Sequence, residues 1–402
     1  MTWYRDAVLR LLVAGSVLNS VAFFATLPFL SIYLAEISTL SGLAIGAVVG
    51  SVALIASLGG FVGGMLSDRF GAVALIRAGV LLNCATGLAL AMVHDVGLVI
   101  ALTGLLGVGR LLTEPSMKKL MSVAADGTDG SVFRIRYVTL CLGAVVGPLL
   151  GAVLYAVDSR LIFSVPAVVF AGYFLLLQRN LARLRSVDAH EGDERGRLRD
   201  AVNDRRLLRI IAAGFVLFLV FSQFESILPL YVRSVRGPDA VTYFSILLAV
   251  NAALGIVMQF PVARLARRVS ASRMAFIGCV GFALALLLFR MLPASAVLPF
   301  VGVLVWTVGE AVLFPMPDMA IHTFAPNGRK GAYFGLAEVR YLGFFLGPAL
   351  GGGLLGISAT TYFTTMAVVI FGTWLLLGRN HERTPDRPSN PTERDAVAPV
   401  AG

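Results

Sequence analysis

Two glutamates lie where a glutamate is costly, in the middle of long apolar stretches of the chain. Glu310 follows a Thr-Val-Gly sequence, and Glu225 follows Gln223-Phe224. An ionisable side chain at membrane depth costs roughly 2.5–3.5 kcal/mol or more unless it is paired or hydrated. Because burial favours the protonated form of a carboxyl group, such a residue can take up a proton at one face of a membrane and release it at the other. We therefore predict Glu310 and Glu225 as proton carriers, with Gln223 and Phe224 as substrate-binding candidates. A structural, hydrogen-bonded glutamic acid is the alternative for each.

Charged residues also enter the apolar stretches of the N-terminal half. Arg110 and Glu114 are four residues apart, so they lie on one face of a helix. They form either a self-neutralising pair or a site that opens when substrate or a proton binds. Arg136-Tyr137 begins a further apolar stretch, and both residues are substrate-binding candidates. A structural ion pair, with Glu114 as the partner, is the alternative for Arg136.

A short polar loop interrupts the apolar pattern at Gly64-Met-Leu-Ser-Asp68-Arg69-Phe-Gly71. Gly71 suits a tight turn because glycine tolerates positive φ. Asp68 and Arg69 can make charge-assisted hydrogen bonds that hold one part of the molecule against another. We predict that this loop is a conformational gate, with Arg77 as a substitute charge partner.

The chain repeats itself at an offset of about 200 residues. A glycine motif at Gly143, Gly147, Pro148 and Gly151 recurs at Gly343, Gly347, Pro348 and Gly351. Gly109 and Pro115 recur as Gly309 and Pro315, and Leu27-Pro28 recurs as Leu228-Pro229. Small residues four apart let helices approach closely in lipid, and proline kinks a helix. Such a duplication predicts two similar bundles with a site between them, as in secondary transporters.

Twelve apolar segments are long enough to cross a bilayer, which takes about 20 residues of helix. Numbered 1 to 12, they lie near residues 10–34, 41–66, 73–93, 96–117, 134–158, 161–179, 210–233, 241–263, 273–292, 295–317, 332–356 and 360–378. We predict an all-α membrane protein of two pseudo-symmetric six-helix bundles. The bundles cover residues 1–178 and 210–378, a cytoplasmic linker covers 179–209, and a disordered cytoplasmic tail covers 379–402.

Composition excludes several classes of protein. Hydrophobic residues make up 57% of the chain and charged residues 14%, which is far from a soluble protein. The net charge of +10 comes mostly from the linker, the tail and the loops on one side, so it is a topology signal that places both termini in the cytoplasm. We expect no nucleic-acid binding. The three cysteines and four histidines are scattered, so we predict no metal site, no catalytic residues and no enzyme.

The loop at Gly64–Gly71 resembles the signature loop of the major facilitator superfamily, Gly-x-Leu-x-Asp-Arg-x-Gly followed by basic residues. The glycine motif of segment 5 looks like the motif of the antiporter branch of that superfamily. The settings of Glu310 and Glu225 resemble LmrP-like and MdtH-like multidrug:proton antiporters. The resemblance implies the twelve-helix fold of the superfamily and a gating role for the loop. Two departures stand out: Ala72-Val73 replaces the usual basic pair, and Arg136 stands where LmrP-like proteins have an acid.

We therefore expect a proton-coupled exporter of a small amphiphilic compound in the cell membrane. Its partners would be the substrate, protons and the bilayer, and it would act as a monomer with a proton gradient and no cofactor. Arg136 favours an anionic or zwitterionic substrate. Glu338 and Arg340 are expected to be gate or packing partners, and Asp318 and His322 to be solvated. A proton-coupled importer and a non-transporting membrane receptor are the alternatives.

Overall fold

The computed structural model describes residues 6–40, 42–126, 130–188, 198–326 and 328–381. Every regular element in these ranges is helical. The first six segments are continuous helices: Ala7–Ile37, Gly42–Phe70, Ala72–Met92, Val96–Ala124, Val132–Val157 and Leu161–Arg179. Two short helices, Leu181–Asp188 and Leu198–Asn203, lie in the linker. The tail predicted for 379–402 begins inside the last helix, which runs to His381, and its residues from 382 onwards lie outside the described residues.

The second half repeats the order with broken helices. Its segments run over Arg205–Ser226 with Leu228–Arg236, Ala240–Val257 with Gln259–Ala266, Ala271–Arg290, Leu298–Leu313 with Pro315–Phe324, Lys330–Ala337 with Leu342–Ile357, and Ala359–Val369 with Phe371–His381. In the described chain, ten helices are long and apolar enough to span a membrane, and segment 8 adds a pair bent by 44°. Segment 11 is interrupted at Glu338–Tyr341, so neither of its pieces is long enough alone. The protein therefore has the all-α membrane architecture predicted for it.

Local chemistry accounts for where helices begin and bend. The Asp6 side chain accepts hydrogen bonds from the backbone N–H groups of Val8 and Leu9 at the start of segment 1. Gly71 has φ 89°, which allows the sharp turn between segments 2 and 3. Pro315 has no N–H to offer the carbonyl of Ala311, one turn earlier in segment 10. Gln259 of segment 8 donates to that carbonyl over 3.3 Å, so the bend is satisfied within the protein.

The duplicated glycine motifs make equivalent contacts in the two halves. A Cβ added at Gly147 would lie 2.7 Å from the Cβ of Phe24, so segment 5 packs closely on segment 1. A Cβ at Gly347 would lie 2.0 Å from the Oγ of Ser222, so segment 11 packs on segment 7 in the same way. The remaining motif glycines lie on the same two seams: Gly143, Gly151, Gly343 and Gly351. Pro148 and Pro348 lie inside the two helices. The sequence repeat is therefore a repeat of helix packing.

The two halves meet through segments 2 and 11 and through segments 5 and 8. We call the end of the molecule that carries the Gly71 turn and the linker the linker side. Backbone contacts between the halves are closest there, because a Cβ at Gly64 would lie 2.0 Å from the carbonyl oxygen of Gly331, and one at Gly335 would lie 2.3 Å from that of Gly60. Glycines on both helices permit this approach.

Candidate functional site

The linker side is held shut by Asp68 of segment 2. Its carboxylate accepts hydrogen bonds from the backbone N–H groups of Gly331 (2.9 Å) and Ala332 (2.7 Å). These groups are the first free donors of the helix Lys330–Ala337 in the other half, where the helix dipole favours a negative charge. Lys119 of segment 4 pairs with the same carboxylate at 3.0 Å. Asp68 thus joins the two halves, and its role as a gate residue stays a prediction.

The arginines predicted for this gate are placed differently. Arg69 is exposed and its guanidinium lies 5.3 Å from the ring centre of Phe70. Arg77 lies over the ring of Phe174 at 5.9 Å. Lys119, not Arg77, is the cation beside Asp68. The reason is geometric, because Lys119 lies on segment 4, which the structure extends to Ala124 and packs against segment 2.

The backbone at the unusual Ala72-Val73 pair is occupied by the linker. Asp188 accepts hydrogen bonds from the N–H groups of Ala72 and Val73, both at 3.1 Å. A carboxylate thus caps the start of segment 3 from a distant part of the chain. Tyr333 of segment 11 donates to Asp204 at the start of segment 7 over 2.8 Å. The linker is therefore fastened at one end to the gate loop and at the other to the C-terminal half.

Six charges, five of them buried and Arg136 half-buried, form a network between the halves, which we call the charge network. It comprises three cations and three anions: Lys118, Arg136, Arg340, Glu114, Asp318 and Glu338. Lys118 pairs with Glu338 and lies 3.7 Å from Asp318. Arg340 pairs with Asp318 at 2.8 Å, and Arg136 pairs with Glu114 and lies 3.9 Å from Asp318. The formal charges cancel, which is the condition under which buried ions are tolerated.

This network corrects two expectations. Arg136 is not a free cation, because Glu114 neutralises it and Asp318 lies beside it, so the structural alternative describes it better. Asp318 and His322 are buried rather than solvated, with 4% and 6% of their surface exposed. His322 shares a hydrogen bond of 2.7 Å with Ser122 of the other half. Glu338 and Arg340 lie within the network, as gate or packing partners would.

Glu310 lies at the junction of the halves, surrounded by neutral donors. The indole N–H of Trp306 donates to Oε1 over 2.8 Å, and the amide of Asn251 donates to Oε2 over 2.9 Å. The hydroxyl of Tyr137, from the other half, donates to Oε2 over 3.2 Å. Three donors and no cation make contact with this carboxyl among the described residues. The arrangement suits a group whose charge is set by a proton rather than by an ion pair.

Glu225 is exposed, and no described side chain forms a hydrogen bond or an ion pair with it. Its two neighbours point into the C-terminal half. Gln223 is buried and donates to the carbonyl of Leu219 over 2.8 Å, and Phe224 stacks on Trp306 with ring centres 5.2 Å apart. Gln223 and Phe224 thus support the helices rather than line an open surface, contrary to the expectation of substrate contact.

Arg110 does not pair with Glu114 along its helix. The two oxygens of Glu114 accept from Asn19 (2.7 Å) and from Arg136. The guanidinium of Arg110 lies over the ring of Phe23, 4.1 Å from its centre, and makes no hydrogen bond or ion pair with any described residue. The self-neutralising pair, one of the two alternatives from the sequence, does not form: Glu114 pairs with Arg136 of another helix, and Arg110 has no ion-pair partner among the described residues.

The sequence interpretation missed several residues of this region. Hydropathy ends segment 4 at residue 117, which places Lys118 and Lys119 among the loop charges. Asn19 and Asn251 were passed over, although an amide inside an apolar segment is a signal, because it needs a hydrogen-bond partner in lipid. No group of three metal-ligating side chains occurs in the described part of the chain.

Comparison with known proteins agrees with this architecture. The family model of the Major Facilitator Superfamily matches residues 12–341. The MFS-type transporter YqjV of Bacillus subtilis (strain 168) is 28% identical over 349 residues, covering 85% of this chain and 84% of its own. The multidrug resistance protein MdtH of Salmonella paratyphi B is 25% identical over 398 residues, covering 94% and 96%.

A solved structure extends the likeness to the fold. A bacterial homologue of the iron transporter ferroportin, in its outward-facing state, superposes with a TM-score of 0.74 at 18% identity, over 94% of this chain and all of that one. At this identity the likeness concerns the fold alone. With the family model matched over most of the chain, the conclusion is direct: this protein is a transporter, not an enzyme, and it belongs to the Major Facilitator Superfamily.

Proposed function

We propose that the chain is a proton-coupled secondary exporter of a small amphiphilic compound, working by alternating access as a monomer in the cell membrane. The observation that carries the proposal is the position of Glu310. Its carboxyl lies between the two halves and accepts from Tyr137 of the opposite half. A proton on this carboxyl would therefore change a contact on which the relative position of the halves depends.

The distribution of positive charge supports an orientation of the protein in the membrane. Arginines are concentrated in the linker and the tail, and the positive-inside rule puts such segments in the cytoplasm. The linker side would then be the cytoplasmic side, and the closed gate at Asp68 would give an outward-facing state. Both termini would be cytoplasmic.

The proton step can be followed through the hydrogen bonds. A carboxylate can accept from Tyr137, Asn251 and Trp306 at once, whereas a protonated carboxyl must also donate. Protonation of Glu310 would thus weaken the bond from Tyr137 and favour parting of the halves on the linker side. Exposed Glu225 would be the entry point for the proton. Each proton moving inward down the membrane potential supplies roughly 2.3 kcal/mol per 100 mV.

Export is the direction supported by the glycine motif of segment 5 and by the likeness to MdtH, whose name describes multidrug resistance. A proton-coupled importer of a small metabolite would instead move the compound and the proton in the same direction. A non-transporting receptor would show no coupling at all.

The test is proton flux in proteoliposomes that contain a trapped pH dye, challenged with a panel of anionic, cationic and zwitterionic amphiphiles. We expect at least one compound to cause proton movement opposite to its own. Glu310→Gln keeps the shape of the side chain but cannot titrate, so it should still bind that compound and lose the coupled flux. Asp239→Asn removes an exposed carboxyl outside the bundle and serves as the control. Normal coupling in Glu310→Gln would refute the assignment of the proton to this residue.

A further inference from the structure

Arg110 and Glu310 occupy equivalent positions in the two halves. Each follows the glycine that the repeat conserves, Gly109 or Gly309, at an offset of 200 residues. Both glycines receive a side chain from the preceding segment of their own half. A Cβ at Gly109 would lie 2.2 Å from Oδ1 of Asn83, and a Cβ at Gly309 would lie 2.5 Å from Cδ2 of Phe282. The same architecture thus holds an arginine beside an amide in one half and a glutamate beside a phenyl ring in the other.

The side chains at the two positions differ in how many hydrogen-bond partners they have. Three donors surround the Glu310 carboxyl. The guanidinium of Arg110 carries five N–H donors, and no described residue accepts from any of them. The ring of Phe23 covers one face of the guanidinium and leaves its N–H edge open. Glu114, one turn away, has both oxygens engaged elsewhere.

A small cavity faces this group. Its volume is about 50 Å³, which is room for a few water-sized groups and not for a whole amphiphile. Its polar lining comes from Asn19, Thr26, Asn83 and Arg110. Asn83 is only 4% exposed, and its amide makes no hydrogen bond with any described residue. A half-buried cation and a buried amide, neither with a hydrogen-bond partner among the described residues, therefore line one cavity, with the aromatic ring of Phe23 at its wall.

We propose that Arg110 and Asn83 form a subsite in the N-terminal half that binds the carboxylate group of an amphiphilic substrate. The planar fork of the guanidinium matches a carboxylate in two parallel hydrogen bonds, and the amide adds a third donor. The apolar body of the substrate extends from this cavity toward the space between the halves. The inference rests on the proposed transport function and names its substrate class, an amphiphilic acid or zwitterion.

The test compares two probes of one shape, 1-naphthylacetate and its neutral amide 1-naphthylacetamide, bound to the full chain in phosphatidylcholine nanodiscs. Hydrogen bonds to a charged group predict that the wild type prefers the acid by about 10-fold or more. Arg110→Gln should abolish the preference and leave the affinity for the amide within about 3-fold, because only the charged contact is lost. Arg110→Lys should keep part of the preference, and Asn83→Ala should reduce it a few-fold. Arg264→Gln removes an exposed arginine and should change nothing.

Three results would overturn the inference. They are a wild type without preference or without binding of either probe, an equal loss for both probes in Arg110→Gln, and a preference that persists in Arg110→Gln. If free acetate abolishes the preference as effectively as excess naphthyl acid, the subsite binds small free anions instead. If phosphatidylglycerol does so, the subsite binds a lipid headgroup. Binding is measured without a proton gradient. A preference that depends on Arg110 in a protein with no coupled flux would thus retain the inference and remove the transport proposal.

Discussion

At the scale of single residues, a titratable group in this protein is defined by what faces it. Glu114 and Asp318 face cations and belong to the charge network, whereas Glu310 faces only neutral donors. A carboxyl held by an ion pair changes charge only at the cost of leaving a buried cation unpaired. A carboxyl held by neutral hydrogen bonds changes charge more readily. Glu310 is of this kind, and one of its donors, Tyr137, comes from the opposite half. If Glu310 carries the proton as proposed, Tyr137 has the position from which its protonation would be sensed.

The first prediction concerns that hydroxyl. Tyr137→Phe removes the donor to Glu310 and leaves the ring packed on Phe314, so the closed linker side should lose about 0.5–1.5 kcal/mol, the range for one hydrogen bond. The fraction of molecules open on the linker side should rise, and its dependence on pH should become weaker. Distances between spin labels placed on exposed positions of each half would measure both effects.

Tyr362→Phe is the matched control for that substitution. Tyr362 is a buried tyrosine of segment 12 whose hydroxyl has no hydrogen bond in the structure described. If the two variants shift the distances equally, the effect comes from altered packing and Tyr137 does not sense the proton.

At the scale of helices, the sequence predicts packing better than it predicts pairing. The glycine motifs around Gly147 and Gly347 could be assigned to close helix contacts because their spacing is local and repeats. The sequence names Glu114 as a partner for Arg136, but it does not decide between that ion pair and a substrate site, since the outcome depends on how segments 4, 5 and 10 converge. Lys118 was missed for a related reason: hydropathy ends a segment at its first lysine, whereas a helix can continue and bury that lysine against an acid. The fold could thus be predicted from the sequence, whereas the pairing within the charge network could not.

The second prediction tests the seam between segments 2 and 11. An added methyl at Gly64 would lie 2.0 Å from the carbonyl oxygen of Gly331, a distance that forces the helices apart. Gly64→Ala should therefore destabilise the state closed on the linker side by about 1–3 kcal/mol, as overpacking does. Faster hydrogen exchange at the linker-side ends of both segments would report it.

Gly353→Ala makes the same chemical change at a glycine of segment 11 that has nothing within 4 Å. It should leave exchange unaltered. Equal exchange in the two variants would mean that the seam tolerates the methyl and that glycine at position 64 is not needed for closure.

At the scale of the whole molecule, closing the linker side brings together charges that belong to different halves. Lys118 comes from the N-terminal half, and Glu338 and Asp318 come from the C-terminal half. Backbone closure at Gly64 and Gly331 buries these ions, and buried charges are tolerated when they are paired. In the proposed alternating-access cycle, opening would separate them again, so the network would oppose opening with an energy that substrate binding or the proton would have to supply. A charge network of this kind would favour the fully closed and fully open states of the linker side over partly open ones.

The last prediction separates the stabilisation that the Lys118–Glu338 ion pair provides from the cost of leaving one of its charges unpaired. Lys118→Met leaves Glu338 buried with no cation, and Glu338→Gln leaves Lys118 with only Asp318 at 3.7 Å. Truncating one partner of a buried pair typically costs 3–5 kcal/mol, so each single variant should shift the molecule strongly toward the state open on the linker side. The double variant Lys118→Met/Glu338→Gln removes both charges at once and should recover much of the closure, giving a coupling energy well above 1 kcal/mol in the cycle. Label distances across the linker side give the conformational equilibrium, and thermal unfolding in nanodiscs reports whether each variant is folded. Additive effects of the two substitutions, with no recovery in the double variant, would mean that the pair does not hold the halves together and that closure rests on Asp68 and the glycine seam alone.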